Sequence, residues 1–252
     1  MKISVVVPAY NETDRIVPSL ERIISYLQER HPDFEILVVD DGSADATAAT
    51  VRQRFEGQPR VSVLSYGINR GKGFAVRHGM GQANGDLVLF SDADLSTPIE
   101  EIEGMLPLIE NGYDVVIGSR AHAEADIRQR QPLYRELGGK LFNLMVRIVV
   151  MPELYDTQCG FKLFRRSRIA PILPNLCIDG FAFDVEILAL AGAAGLRIAE
   201  VPVIWINSRA SRVRMSAALR ASVDLIGIRA RARQLRASVA DRRRPETAPP
   251  AQ

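Results

Sequence analysis

The sequence predicts an α/β protein built on a doubly wound, mostly parallel sheet with helices on both faces. Three observations carry that expectation. Short, nearly continuous apolar runs recur through the first 120 residues. Stretches with helical apolar spacing separate them, and polar or acidic residues follow the ends of several runs.

The strands are expected at Ile3–Val7, Glu35–Val39, Val61–Tyr66, Leu87–Ser91 and Asp114–Gly118. Between the first two, Ile16, Leu20, Ile23, Ile24 and Leu27 share one helical face, with Thr13 as the expected N-cap and Ser43 as that of the following helix. After residue 120 the alternation stops. "AHAEADIRQRQP" reads as a polar loop, and Leu133–Val150 as a helix whose apolar residues (Leu137, Leu141, Leu144, Met145, Ile148) share a face. That face suits either core packing or a membrane interface. "FKLFRR" reads as a strand, Phe181–Ala194 as a buried helix, Ile198–Ile206 as a further strand and 213–239 as a long helix. The organisation expected is a domain over residues 1–208, a basic amphipathic helix over 209–240 and a disordered tail over 241–252.

Composition narrows the function classes. A chain of 252 residues, 47% hydrophobic and 25% charged, can build a full core, and a net charge of +2 gives no reason to expect a nucleic-acid binder. Cys159 and Cys177 lack metal-ligand or CxxC spacing, and with only three histidines in the chain the sequence argues against a His/Cys zinc site. The N-terminal apolar run is too short for a signal peptide, and no run approaches the roughly 20 residues that span a bilayer. The expectation is a cytoplasmic protein, soluble or peripheral on the cytoplasmic face of a membrane.

In doubly wound sheets ligands bind beyond the carboxyl ends of the strands. There lie "PAYNE" (8–12), "DDGS" (40–43), "SDAD" (91–94) and "GSR" (118–120). Each alone is also ordinary turn or cap chemistry; together they predict one polar rim. Asp92 and Asp94 repel one another unless a cation lies close. Oxygen ligands without histidine or cysteine favour a hard cation, Mg²⁺ or Mn²⁺, which completes its shell with water and substrate phosphates. "GKG" at 71–73 opens a helix, so Lys72 and nearby amides can face a nucleotide, or the glycines can simply form a tight turn. No GxxxxGK[ST] or first-turn GxGxxG is present, which argues against a P-loop NTPase and a classical dinucleotide oxidoreductase.

The segments "VVVPAYNE", "VVDDGSADAT", "NRGKGFAVRHGM", "DLVLFSDADLSTP", "VVIGSR" and "DTQCGFKLFRR" resemble the family 2 glycosyltransferases of the GT-A fold over roughly residues 1–215. Within them the likeness is to the polyprenyl-phosphate glycosyltransferases, and "YDTQCGFKLF" leans toward the dolichyl-phosphate glucosyl rather than the mannosyl branch. The resemblance implies inverting transfer of a hexose, UDP-glucose being the favoured donor, to a polyprenyl phosphate. It implies that Pro8, Ala9, Tyr10, Glu12, Val39 and Asp41 line the nucleoside pocket, with Asp41 or Glu12 reaching base or ribose. Asp92, Ala93 and Asp94 fall at the diphosphate, both aspartates as metal ligands, and Arg120 faces a phosphate of donor or acceptor. Ser96, where mannose synthases tend to carry glutamine, and Ser211-Arg212, where they tend to carry Ser-Lys, depart from the mannosyl pattern.

A lipid phosphate is anionic and needs no general base, so catalysis is expected to be positioning and electrostatics. Lys162, Arg209 and Arg212 are the further residues expected at the acceptor phosphate, although each alone also suits a solvated surface. A saccharide hydroxyl as acceptor would instead need a carboxylate base, for which Asp156 and Asp179 are the candidates. The arginine-rich stretch from residue 209, interleaved with Val213, Leu219, Val223, Ile226 and Leu235, suits an anionic membrane surface. Nonspecific nucleic-acid binding or packing on the domain are the other readings; no specific nucleic-acid partner is expected. The rival functions are a GDP-mannose-dependent transferase to the same lipid, a transferase to a saccharide acceptor, and a non-catalytic nucleotide-sugar-binding, membrane-docking module.

Overall fold

The computed structural model describes residues 1–129, 133–207 and 215–242. Nine strands form in the described residues: β1 (Ile3–Ala9), β2 (Phe34–Asp40), β3 (Val61–Ser65), β4 (Leu87–Ser91), β5 (Val115–Ser119), β6 (Asp126–Gln129), β7 (Phe161–Arg165), β8 (Ile198–Pro202) and β9 (Ile204–Ile206). The helices are α1 (Ile16–Arg30), α2 (Thr47–Arg54), α3 (Lys72–Gln82), α4 (Ile102–Glu110), α5 (Leu133–Val149), α6 (Arg166–Ile169), α7 (Phe183–Ala193) and α8 (Met215–Arg242).

Seven strands make one sheet in the order β3-β2-β1-β4-β7-β5-β8. All neighbours are parallel except β7, which lies antiparallel between β4 and β5. The strands are buried on both sides because each faces a core. Val6, Val39, Val88 and Ile117 pack toward α3 and α7, whereas Val5, Val7, Val38 and Leu89 pack toward α1 and α4. The order reverses direction between β1 and β4, and a crevice at such a switch point is where ligands bind.

Several expectations are revised. Residues 126–129 form a short strand, β6, paired in parallel with β9. The expected single strand 198–206 divides: Pro202 cannot donate to a ladder, Val203 turns inward, and β9 joins the second sheet. The caps also differ. Arg15 and Ala46 precede α1 and α2 without side-chain caps, while the Ser43 hydroxyl accepts the Asn11 amide instead.

On both late helices the apolar residues singled out from the sequence divide between core and solvent, with Met145 and Leu235 packed against the core and Val223 and Ile226 exposed. On α5, Phe142 and Val146 are buried, whereas Leu137, Leu141, Leu144 and Ile148 point outward. On α8, Ala221, Leu225 and Ile228 enter the same core as α7. The 28-residue α8 thus packs on the domain through these side chains, one of the readings its sequence left open. No helix among the described residues is long and apolar enough to cross a membrane.

Candidate active site

The carboxyl ends of β1 and β2 are laced together. Asn11 takes a left-handed conformation (φ 56°), which asparagine tolerates better than most residues. In that pose its amide donates to Ser43 Oγ at 2.9 Å, and its Oδ1 accepts the Ala44 and Asp45 amides at 2.8 and 3.3 Å. The Glu12 amide adds a bond of 2.7 Å to Thr47 Oγ1. Tyr10 projects from this rim, 42% exposed, while Pro8 and Ala9 are buried.

Asp41 is buried, and its carboxylate collects four donors from one loop. These are the Tyr66 hydroxyl at 2.8 Å, Asn69 Nδ2 at 2.9 Å, and the Arg70 and Gly71 amides at 2.7 and 2.9 Å. Burial, then the Asp41 hydrogen bond and charge, raise the Tyr66 pKa, so this hydroxyl stays protonated. Asp41 thus shapes the approach to α3. Val39 departs from the expectation: its side chain is in the core, where Cγ2 would lie 2.8 Å from a Cβ placed on Gly79 of α3. Glu12 is held by Arg15, whose NH2 donates to Oε1 at 2.7 Å.

Gly71 (φ 105°) opens α3 where a Cβ would collide with the Asp179 carbonyl. That close approach sets Lys72 against the switch point, with Nζ 2.6 Å from Asp92 Oδ1. Burial opposes the ammonium charge, but Asp92 and Asp184 outweigh it and raise the Lys72 pKa.

The turn after β4 is strained. Leu95 has φ 45°, an outlier for a bulky residue, and such outliers are tolerated where the surroundings over-determine them. Its amide donates to the Asp92 carbonyl at 3.1 Å, the Ser96 amide to Asp94 Oδ1 at 3.0 Å, and the Ile206 amide to the Ser96 carbonyl at 2.8 Å. Asp92 and Asp94 are thereby fixed one residue apart, about a third and a fifth exposed, with Ala93 buried between them. Arg15 NH1 lies 3.7 Å from Asp94 Oδ2. The hydrogen bond to Glu12, against desolvation, raises the Arg15 pKa, and Asp94 and Asp92 add to that.

This donor set fits a hard divalent cation: two carboxylates, oxygen only, in a crevice negative enough to attract both Lys72 and Arg15. No group of three or more His, Cys, Asp or Glu that could hold a metal occurs among the described residues, so the protein share would be these two carboxylates.

Arg120, after β5, is clamped by buried Asp156: Nε to Oδ2 at 2.7 Å, NH2 to Oδ1 at 2.8 Å, and its amide to Oδ2 at 2.9 Å. Its guanidinium lies 5.6 Å from the Trp205 ring centroid. Burial would raise the Asp156 pKa, yet Arg120 holds it down to about 2. Asp156 is thus an orienter of Arg120, too firmly ionised and engaged to serve as a base. The amides of Tyr155 and Asp156 both donate to Glu200, at 2.9 and 2.8 Å.

Lys162 is corrected too. It is fully buried on β7, with Nζ on Asp184 Oδ1 at 2.5 Å and on the Cys159 carbonyl, so its ammonium is not open to an acceptor phosphate. Burial raises the Asp184 pKa despite the Lys162 and Lys72 charges. Arg209 and Arg212 lie outside the described residues. Sequence reasoning passed over Arg15, Gly160, Asp184 and Glu186. Two acids inside the apolar run "FAFDVEILALA" were a signal for the last pair. Glu186 is buried, accepts the Cys177 and Ile178 amides at 3.0 and 2.8 Å, and pairs with Arg231 of α8 at 2.7 Å.

The family profile described as Glycosyl transferase family 2 matches residues 4–172. The chain belongs to this family. Among curated proteins it is similar to a dolichyl-phosphate beta-glucosyltransferase of Trichomonas vaginalis, 39% identical over 88% of this chain and 69% of that one. The human dolichyl-phosphate beta-glucosyltransferase is 35% identical over 91% of this chain and 75% of that one. Among solved structures, mannosyl-3-phosphoglycerate synthase from Rubrobacter xylanophilus has a TM-score of 0.65 at 23% identity, covering 99% of this chain and 79% of that one. Glucosyl-3-phosphoglycerate synthase from Mycobacterium tuberculosis, solved with Mn²⁺ and UDP-glucose, has a TM-score of 0.64 at 21% identity, covering 90% and 77%. The fold is of the GT-A type, and the chain is a glycosyltransferase.

Proposed function

We propose that this glycosyltransferase moves glucose from UDP-glucose to the phosphate of dolichol or a related polyprenol, with inversion, on the cytoplasmic face of a membrane. The observation that carries the proposal is the Asp92/Asp94 pair held beside Lys72 at the switch point, in a chain similar over most of its length to dolichyl-phosphate beta-glucosyltransferases.

A phosphate monoester is ionised at neutral pH, so one of its oxygens can attack the anomeric carbon directly. The new C–O bond forms as the bond from that carbon to the nucleoside diphosphate breaks, and the electron pair leaves with the diphosphate. Tyr10 and Glu12 are the rim residues that would meet the nucleoside, within a loop held by the Asn11 hydrogen bonds and that of the Glu12 amide to Thr47. Lys72, paired with Asp92, would face the negative charge that develops on the leaving group. Asp92 and Asp94 would hold Mg²⁺ or Mn²⁺, which when bound neutralises the diphosphate. Arg120, oriented by Asp156, would face a phosphate with the part of its guanidinium left exposed. Arg209 and Arg212 remain proposed for the acceptor phosphate.

The test offers UDP-glucose, UDP-galactose, UDP-N-acetylglucosamine and GDP-mannose separately with Mn²⁺ and a short polyprenyl phosphate, following nucleoside diphosphate release. Lipid-dependent turnover with UDP-glucose, abolished by Asp94→Ala, is expected. Turnover with GDP-mannose alone would overturn the sugar assignment. Nucleotide binding without lipid-dependent turnover would overturn the acceptor.

A further inference from the structure

Leu137, Leu141, Leu144 and Ile148 follow one another on α5 at spacings of four, three and four residues, and are 65%, 59%, 50% and 71% exposed. This is a single helical stripe turned to solvent. The helix does not need it for packing, since Phe142 and Val146 already bury the opposite side. Against α5 packs α8, whose Val223 and Ile226 are 68% and 72% exposed while Ala221, Leu225 and Ile228 enter the core. Six large aliphatic side chains displayed on two adjacent helices mark an interaction surface rather than ordinary surface scatter.

The charges around the stripe choose the occupant. Lys140 lies within it, and Arg229, Arg233 and Arg236 are exposed on α8. Glu136 is engaged by Lys140 at 2.7 Å, and the only acids on α8 are Asp224 and Asp241. A second copy of the chain would bring these arginines toward arginines of its own kind. An anionic bilayer instead accepts the aliphatic stripe at the acyl boundary and the arginines at the phosphate level.

The face also leads to the crevice. Arg147 of α5 stacks over Tyr155, 4.4 Å from the ring centroid, and Tyr155 precedes the Asp156 that clamps Arg120. We propose that the outward face of α5, with the outward turn of α8, is the surface on which this enzyme docks to an anionic lipid bilayer. The proposal rests on the lipid-acceptor reading and assigns the side of the molecule that meets the lipid.

The experiment compares the full chain with a Leu141→Glu/Leu144→Glu variant. Flotation is measured with phosphatidylcholine vesicles, alone and mixed with phosphatidylglycerol. Turnover is measured on a short, water-soluble prenyl phosphate, and oligomeric state by light scattering. Expected are wild-type flotation on the anionic vesicles, a loss of about tenfold or more in the variant, and equal turnover of the soluble acceptor by both. Equal flotation of both proteins would overturn the proposal, as would a wild type that turns over the soluble acceptor but does not float. A dimer dissolved by the substitutions would overturn it in favour of a second copy. Absence of turnover in both proteins, with flotation lost only in the variant, would support the surface while sinking the proposed acceptor.

Discussion

Gly160 has no room for a side chain because the Asp92 carboxyl group fills the space. A Cβ there would overlap Cγ and Oδ2 and lie 2.8 Å from Oδ1. The same pair shares a backbone bond, Asp92 N–H to the Gly160 carbonyl at 3.0 Å. The strand end that carries Asp92 is thus shaped by the residue that leads into β7, 68 positions later in the chain.

Gly160→Ala is accordingly expected to displace Asp92 and lower kcat by about a hundredfold, the scale of a misplacement of roughly 1 Å at a reacting centre. Thermal stability should change far less, since the site faces the crevice. Steady-state kinetics beside a melting curve checks this; wild-type kcat in the alanine variant would refute the coupling.

Asp156 links the site to pH. Its folded-state pKa, about 2, lies below the ordinary 3.8, so the stabilisation is present above the higher value and lost as pH falls toward the lower. The contribution is about 2 kcal/mol. Urea unfolding at several pH values should find Asp156→Asn less stable than wild type at pH 6, with the gap closing between about pH 4 and pH 2. A gap unchanged across that range would show that the Arg120 pair is not its source.

The Lys162–Asp184 pair is sealed from water. Removing one partner leaves the other charged or forces it neutral in the core, a cost of about 3–5 kcal/mol. Lys162→Met should therefore lower the unfolding midpoint steeply, and Lys162→Met/Asp184→Leu should recover much of the loss. A double variant as unstable as the sum of the singles would show that the two groups act independently.

Asp41→Asn replaces one acceptor oxygen by an amide that cannot accept, although two backbone amides and two side-chain donors converge on it. A stability loss of about 2 kcal/mol is expected. Nucleotide affinity should weaken with it, because this loop carries the chain into α3 and Lys72. Chemical unfolding and calorimetric UDP titration read the two effects; unchanged values in both would remove Asp41 from this role.

The sequence by itself determined the α/β class, the strand ends and the placing of Asp92 and Asp94 on a rim, because apolar period and turn chemistry are local and legible in a few residues. Only the tertiary structure decided who meets whom. Asp156 reaches Arg120 across 36 positions, Asp41 collects donors 25 to 30 positions away, and Lys162 turns inward to Asp184. Direction and side were also beyond local pattern: β7 runs antiparallel, and the stripe on α5 faces out. A helical period shows that a face exists, but only the packing of the neighbouring elements settles whether that face is covered.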